Sequence, residues 1–212
     1  MNIGIVGSGI VAKTLAVGFA GKGHTVVVGT RTGGKLAEWL ATAGPNVSEG
    51  TFADAARHGE VVIISVHAEN TNSAIELAGR DEFNGKVVID LSNPMDFSQG
   101  IPPKFTATVG NSLGEKVQRE LPDAFVVKAF NSMGFSVMTE PLFDGEAGTH
   151  FIAGNDEDAK TKVAGLLMEF GWEVVDVGEI DQAFFLEALA SLWVNFSFRS
   201  GQREQAFKLL TR

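Results

Sequence analysis

Short, nearly continuous apolar runs recur along the first 130 residues: Asn2–Val6, Thr25–Gly29, Val61–Val66, Lys86–Leu91 and Phe125–Phe130. Each is five or six residues long and rich in valine or isoleucine, as strands buried on both faces of a parallel sheet are. Between them the apolar period lengthens. Val11, Leu15 and Phe19 recur at i, i+4 and i+8 and predict a helix over Ile10–Gly21, with Gly23 as its C-terminal stop. Gly33–Gly44 and Asn70–Gly79 read as two further helices. Ser112-Leu113-Gly114-Glu115 has the form of a capping box, so a helix begins there and runs to Leu121, ended by Pro122. Strands alternating with helices in this way predict an α/β fold, a doubly wound parallel sheet of the Rossmann type.

After about residue 135 the pattern changes. Thr149–Ala153 and Trp172–Val177 read as strands flanking a helix over Asp156–Phe170, capped by Asn155 or Asp156. The segment Asp181–Phe198 then carries Phe184, Phe185, Leu186, Leu189, Leu192, Trp193 and Phe196 around most of a helical circumference. A helix apolar all round is central to a large core or packs against a partner. In a chain of 212 residues a subunit interface is the better reading, and a homodimer is expected. The chain therefore divides into a nucleotide-binding domain over residues 1–135 and a small C-terminal βαβ-plus-helix portion over 136–212.

Composition narrows the partners. A net charge of −9 disfavours nucleic acid and anionic membranes, which attract clustered Lys and Arg. Cysteine is absent, which removes disulfides and thiolate metal sites. No apolar stretch approaches the roughly 20 residues of a membrane span, and a strand beginning at residue 2 leaves no room for a signal peptide. A cytoplasmic protein without a metal site is the expectation.

The chemistry concentrates at strand ends. Ile3-Gly4-Ile5-Val6-Gly7-Ser8-Gly9-Ile10-Val11-Ala12 is a G-x-G-x-x-A turn between a strand and a helix. Gly7 permits the turn, Gly9 admits a pyrophosphate against the backbone, and the amides of Ser8, Ile10 and Val11 face it at the helix N-terminus. About 20 residues beyond the glycines an NAD site places an acid for the ribose 2′-hydroxyl. Here Thr30, Arg31 and Lys35 stand instead, with no Asp or Glu before Glu38. A hydroxyl, a planar cationic fork and a point charge suit a 2′-phosphate, so the cofactor reads as NADP.

Two later strand ends frame the nicotinamide position: Val66-His67-Ala68-Glu69-Asn70 and Ser92-Asn93-Pro94-Met95. His67 reads as a wall or hydrogen bond beside the cofactor rather than a general acid, because no carboxylate partner is identifiable to orient it. Asn93 suits a carboxamide or ribose hydroxyl, or caps the turn before Pro94. At the end of Lys128-Ala129-Phe130-Asn131, Asn131 is the stronger contact. Lys128 is either a substrate cation or an edge residue. Glu187, in the apolar terminal helix, is either a buried carboxylate with a functional part or, the better reading, a member of a narrow polar strip with Ser191 and Asn195. No nucleophile–base pair is found, so no catalytic residue is assigned.

Together these stretches resemble the coenzyme F420-dependent NADP oxidoreductase family: Ile3–Ala12, Gly29–Arg31 with Lys35, Ser92–Pro94, Val126–Asn131, Leu186–Ala190 leading to Leu192-Trp193, and Ala206–Leu210. The Lys-Ala-Phe-Asn element is also similar to the cytosolic domain of the STEAP ferric reductases. The resemblance implies that Ser8 to Val11, Thr30, Arg31 and Lys35 hold NADP, and that the loops at His67, Asn93 and Asn131 lie near the nicotinamide. It further implies hydride transfer between NADPH and a deazaflavin (F420) or flavin acceptor, which needs position and excluded water more than an acid or base. Val-His-Ala stands where the family has a proline, and the chain has no tyrosine. The competing readings are a carbonyl or imine reductase similar to pyrroline-carboxylate reductase and a non-catalytic NADP(H)-sensing module.

Overall fold

The computed structural model describes residues 1–212. Its centre is a sheet built from β1 (Asn2–Val6), β2 (Thr25–Thr30), β3 (Val47–Thr51), β4 (Val61–Ile64) and β5 (Val87–Asp90). A small hairpin, β6 (Met95–Asp96) and β7 (Lys104–Phe105), interrupts the chain before β8 (Phe125–Lys128). A second hairpin, β9 (Leu142–Phe143) and β10 (Glu146–Ala147), precedes β11 (Thr149–Gly154) and β12 (Glu173–Asp176). The sheet order is β12-β11-β8-β5-β4-β1-β2-β3. Every neighbour is parallel except β11 against β8. The order reverses at β1, between β2 and β4, which is the switch point where open α/β sheets bind ligands.

Helices cover both faces. Ile3, Ile5, Val61, Ile63 and Ile89 pack on one side with α1 (Ile10–Gly21) and α6 (Glu157–Phe170). Val6, Val62, Ile64, Val88 and Val126 pack on the other with α3 (Phe52–His58), α4 (Thr71–Ala78) and α5 (Leu113–Glu120). The strands alternate sides, yet both sides are apolar, which is why they read as continuous runs. The approach of α3 to β1 is close: a Cβ on Gly4 would stand 1.9 Å from the Ala55 carbonyl oxygen.

The doubly wound α/β architecture and its βαβ-plus-helix tail are as the pattern predicts. The unit β11–α6–β12 continues the sheet beyond β8 and shares the core of its α1 face. Asp156, not Asn155, caps α6 by accepting from the Ala159 amide; Asn155 instead accepts from the Ile180 amide. The long terminal helix is α7 (Ala183–Ser200).

Three departures have physical causes. The helix expected over 33–44 is only α2 (Ala37–Ala43), because Gly33 and Gly34 stay in the preceding loop and Gly34 has φ 79°. Strand β3 carries no apolar run, because Val-Ser-Glu-Gly-Thr is mostly polar; it is the sheet's edge and needs one buried face at most. Helix α3 is not among the predicted helices, although Thr51 and Asp54 form a complete capping box before it.

Candidate functional site

The turn after β1 opens a cleft at the switch point. Gly7 has φ 132°, and a Cβ there would come within 2.0 Å of the Ser65 carbonyl oxygen at the end of β4. No L side chain fits, so the tight turn requires glycine. Gly9 caps α1 without a side chain, no acidic residue stands in the first turn, and a Cβ at Gly9 would meet nothing within 4 Å. The amides at the start of α1 are therefore left without an internal acceptor, facing open space. That is the arrangement a pyrophosphate needs.

The cleft is about 630 Å³, within the range of small-molecule sites. Gly7, Ser8, Gly9, Ile10, Val11, Arg31, Lys35, Val66 and His67 all line it. No acidic side chain does. Arg31 and Lys35 are exposed and form no ion pair, although the chain carries 26 acidic residues. Two unpaired cations beside an open helix N-terminus fit a phosphorylated dinucleotide. Thr32, Asn70, Ser73 and Leu77 also line the cleft. Asn70 belongs to the loop after β4 that the sequence places at the nicotinamide; Ser73, Ala74 and Leu77 follow from it at the i+3, i+4 and i+7 spacing of one helix face.

A second cleft, about 890 Å³, adjoins the first and shares Val66, His67 and Leu91 with it. Ala68, Asn93 and Pro94 line this one, with Met95, Phe97, Thr106 and Lys116. His67 thus stands at the junction, exposed and without a hydrogen-bonded carboxylate.

Thr30, Ala129 and Asn131 line neither cleft. The Thr30 hydroxyl is turned inward, to the Thr32 carbonyl at 2.8 Å and Glu49 Oε1 at 3.0 Å. Ala129 is wholly buried. Asn131 is one layer behind Asn93: Asn93 Nδ2 donates to the Asn131 carbonyl at 2.8 Å, and Asn131 Nδ2 donates to Asn93 Oδ1 at 3.1 Å and to the Leu186 carbonyl at 2.9 Å. Asn131 therefore orients Asn93 and ties it to α7. Phe130, at φ 57°, donates its amide to the buried His150 Nε2 at 2.7 Å. Burial holds His150 down at about 3, so the ring is neutral and can accept that bond.

Lys128 and Glu187 are corrected by the structure. Lys128 is neither a substrate cation nor an edge residue, and Glu187 is not on a polar strip; both are fully buried. Lys128 Nζ lies 2.8 Å from Asp90 Oδ2 and 2.9 Å from Glu187 Oε1, and donates also to the Ser92 carbonyl. All three of its protons are used. Burial by itself would lower the Lys128 pKa; the Asp90 and Glu187 carboxylates outweigh it and hold the amine above its ordinary value. Glu187 also accepts from the amides of Leu113 and Gly114, the first residues of α5, at 3.1 and 3.0 Å. Asp90 Oδ1 accepts from the Ser92 amide and hydroxyl. This network fastens the loop that carries Asn93 to β5, β8, α5 and α7. Sequence could not reveal it, because its members lie as far as 97 residues apart (Asp90 to Glu187).

Relatives support the fold and the family. The family model for "NADP oxidoreductase coenzyme F420-dependent" matches residues 2–94. A candidate F420-dependent NADP reductase from Arthrobacter sp. FB24, solved by crystallography, superposes with a TM-score of 0.93 at 35% identity, covering 100% of both chains. The F420-dependent NADP reductase of Methanocaldococcus jannaschii is 30% identical over 148 residues, 69% of this chain and 66% of that protein. Metalloreductase STEAP3 of Rattus norvegicus is 31% identical over 189 residues, which are 89% of this chain but only 36% of that longer protein. No helix here is long and apolar enough to cross a membrane. With its open glycine turn, its two unpaired cations and these relatives, the chain belongs to the coenzyme F420-dependent NADP oxidoreductase family, and is an NADP-dependent oxidoreductase.

Proposed function

We propose that the protein transfers a hydride between NADPH and a planar ring acceptor, a deazaflavin such as F420 or a flavin. The observation that carries this reading is the pair of clefts joined at Val66, His67 and Leu91. Bound NADPH would supply the hydride. The chain's own part is to hold the pyrophosphate at the α1 amides and the 2′-phosphate at Arg31 and Lys35. Asn93, its side-chain amide held by Asn131, lines the second cleft, and Met95 and Phe97 offer an apolar wall there to an acceptor ring. No side chain on the junction forms an acid–base pair, which suits direct ring-to-ring transfer, where position dominates.

We also propose that the working form is a cytoplasmic homodimer joined through the outer face of α7. Phe185, Leu192 and Phe196 on that helix are 58%, 60% and 54% exposed, a larger apolar stripe than a solvated helix needs. Light scattering at micromolar concentration would return the mass of one chain if this is wrong.

Anaerobic NADPH oxidation with F420, FMN, FAD and a small panel of carbonyls and imines tests the main reading. Turnover with a flavin-like ring is expected. Turnover confined to carbonyls or imines, or tight NADPH binding with no turnover at all, would overturn it. Arg31→Ala should weaken NADPH about 10- to 100-fold, as loss of a charge-assisted hydrogen bond does, and leave NADH affinity unchanged. An unaltered NADPH preference would remove Arg31 from the pocket.

A further inference from the structure

Glu49 is an acid directly behind the cationic loop. It sits on the edge strand β3, in register with Val28 of β2. Its Oε1 accepts from the Thr30 hydroxyl at 3.0 Å and from the Lys35 amide at 3.0 Å; its Oε2 accepts from the Leu36 amide at 3.2 Å. One carboxylate therefore grips both ends of the segment that carries Arg31 and Lys35. Thr30 and Leu36, at those ends, are each 1% exposed, and the residues between them are all exposed.

The middle of that segment is Gly33-Gly34. Neither would place a Cβ within 4 Å of any atom, so neither is packed against the fold. Consecutive unpacked glycines have the largest backbone freedom to lose on ordering. The Thr30 hydroxyl has a single proton, shared between the Thr32 carbonyl at 2.8 Å and Glu49 Oε1 at 3.0 Å, so the carboxylate's own hold on the segment is chiefly through the Lys35 and Leu36 amides. Without the carboxylate, Arg31 and Lys35 would have to be ordered by the ligand at the ligand's expense.

We propose that Glu49 is a specificity-determining positioning residue, which clamps the 30–36 loop so that Arg31 and Lys35 are preset for a 2′-phosphate. The proposal rests on the reading of that loop as the 2′-phosphate pocket. It reverses the usual part of an acid near this strand end. An NAD site uses such a carboxylate to accept from ribose hydroxyls; here both oxygens are committed to the loop, one strand away. The half-buried carboxylate also repels a phosphate, but both its oxygens already accept hydrogen bonds from the loop, which offsets part of its charge. Pre-ordering of the two cations outweighs the remaining repulsion.

The test is binding, not turnover. Kd values for NADPH and NADH are measured by calorimetry for Glu49→Ala, Glu49→Gln and Arg31→Ala. Amide hydrogen exchange at Lys35 and Leu36 is followed in the free proteins. Glu49→Ala should raise the NADPH Kd about tenfold, the loss of one charge-assisted hydrogen bond's worth of order, with NADH within about twofold. Exchange at Lys35 and Leu36 should quicken while the α1 amides stay as they were. Glu49→Gln, which keeps one accepting oxygen, should fall between. An NADPH Kd unchanged or lower in Glu49→Ala, or an equal loss for both nucleotides, would overturn the proposal. Unchanged exchange at Lys35 and Leu36 would show that no clamp exists. Arg31→Ala separates the premise: if it leaves the NADPH-to-NADH ratio untouched, the pocket reading fails, whatever exchange reports about the clamp.

Discussion

Helix α1 follows β1 directly, and α5 follows β5 across the β6–β7 hairpin. Each begins with amides that no helical carbonyl can reach, and each carries the positive end of a helix dipole. At α5 these groups are consumed by the protein. Ser112 and Glu115 form a reciprocal capping box, and the buried Glu187 takes the amides of Leu113 and Gly114. At α1 the cap is Gly9, with no side-chain bond and no acid in the first turn. The same backbone chemistry is used up by the architecture at one helix and left open at the other. The difference lies in whether a carboxylate from within the chain is already there.

Three changes would break or sharpen this contrast. The largest effect belongs to Glu187→Ala. It removes an acceptor from two buried amides and one of two counter-charges from a fully buried lysine. Losing one partner of such a pair costs about 3–5 kcal/mol, so urea unfolding should show a loss of that order; a loss below about 1 kcal/mol would mean that solvent reaches the site. Next is Gly9→Asp, which gives α1 the internal cap that α5 has. Gly9 has φ −73° and ψ −175°, open to any residue, and there is room for a Cβ. Stability should change by only a few tenths of a kcal/mol, while NADPH affinity should fall about 100-fold or more, the equivalent of about 2.7 kcal/mol. Retained affinity in calorimetry would show that the cofactor's phosphates do not use this helix end. The smallest is Ser112→Ala, expected to cost about 1 kcal/mol of stability and to leave the NADPH Kd alone. If both helices respond alike in stability and in binding, the contrast is wrong.

Much of the ligand-facing half was legible because it is local. The glycine turn, the cationic Thr-Arg-Thr segment with Lys35, and His67 after β4 are each a few consecutive residues at a strand end, where position follows from the element. The supporting half was not. The sequence offers Lys128 as a substrate cation or an edge residue and Glu187 chiefly as a polar-strip residue, because charge normally means exposure; only the approach of β5, β8 and α7 supplies the counter-charges that make burial tolerable. Thr30 was read as facing the cofactor. Glu49 on the neighbouring strand draws its hydroxyl inward instead, and that neighbour is 19 residues away in an element whose polar sequence hid it.

What the sequence by itself determined is the alternation of strands and helices, the place of the phosphate turn and the absence of an acid where NAD would require one. These depend on periodicity and on residue types within a single turn. What only the tertiary structure decided is which helix end stays open, which carboxylate holds the cationic loop, and how two clefts meet at Val66 and His67. Each of those outcomes is a competition among groups far apart in the chain for the same amides and charges. Hydrogen-bond partners are assigned by distance in space, and that distance exists only once the sheet has set its strand order.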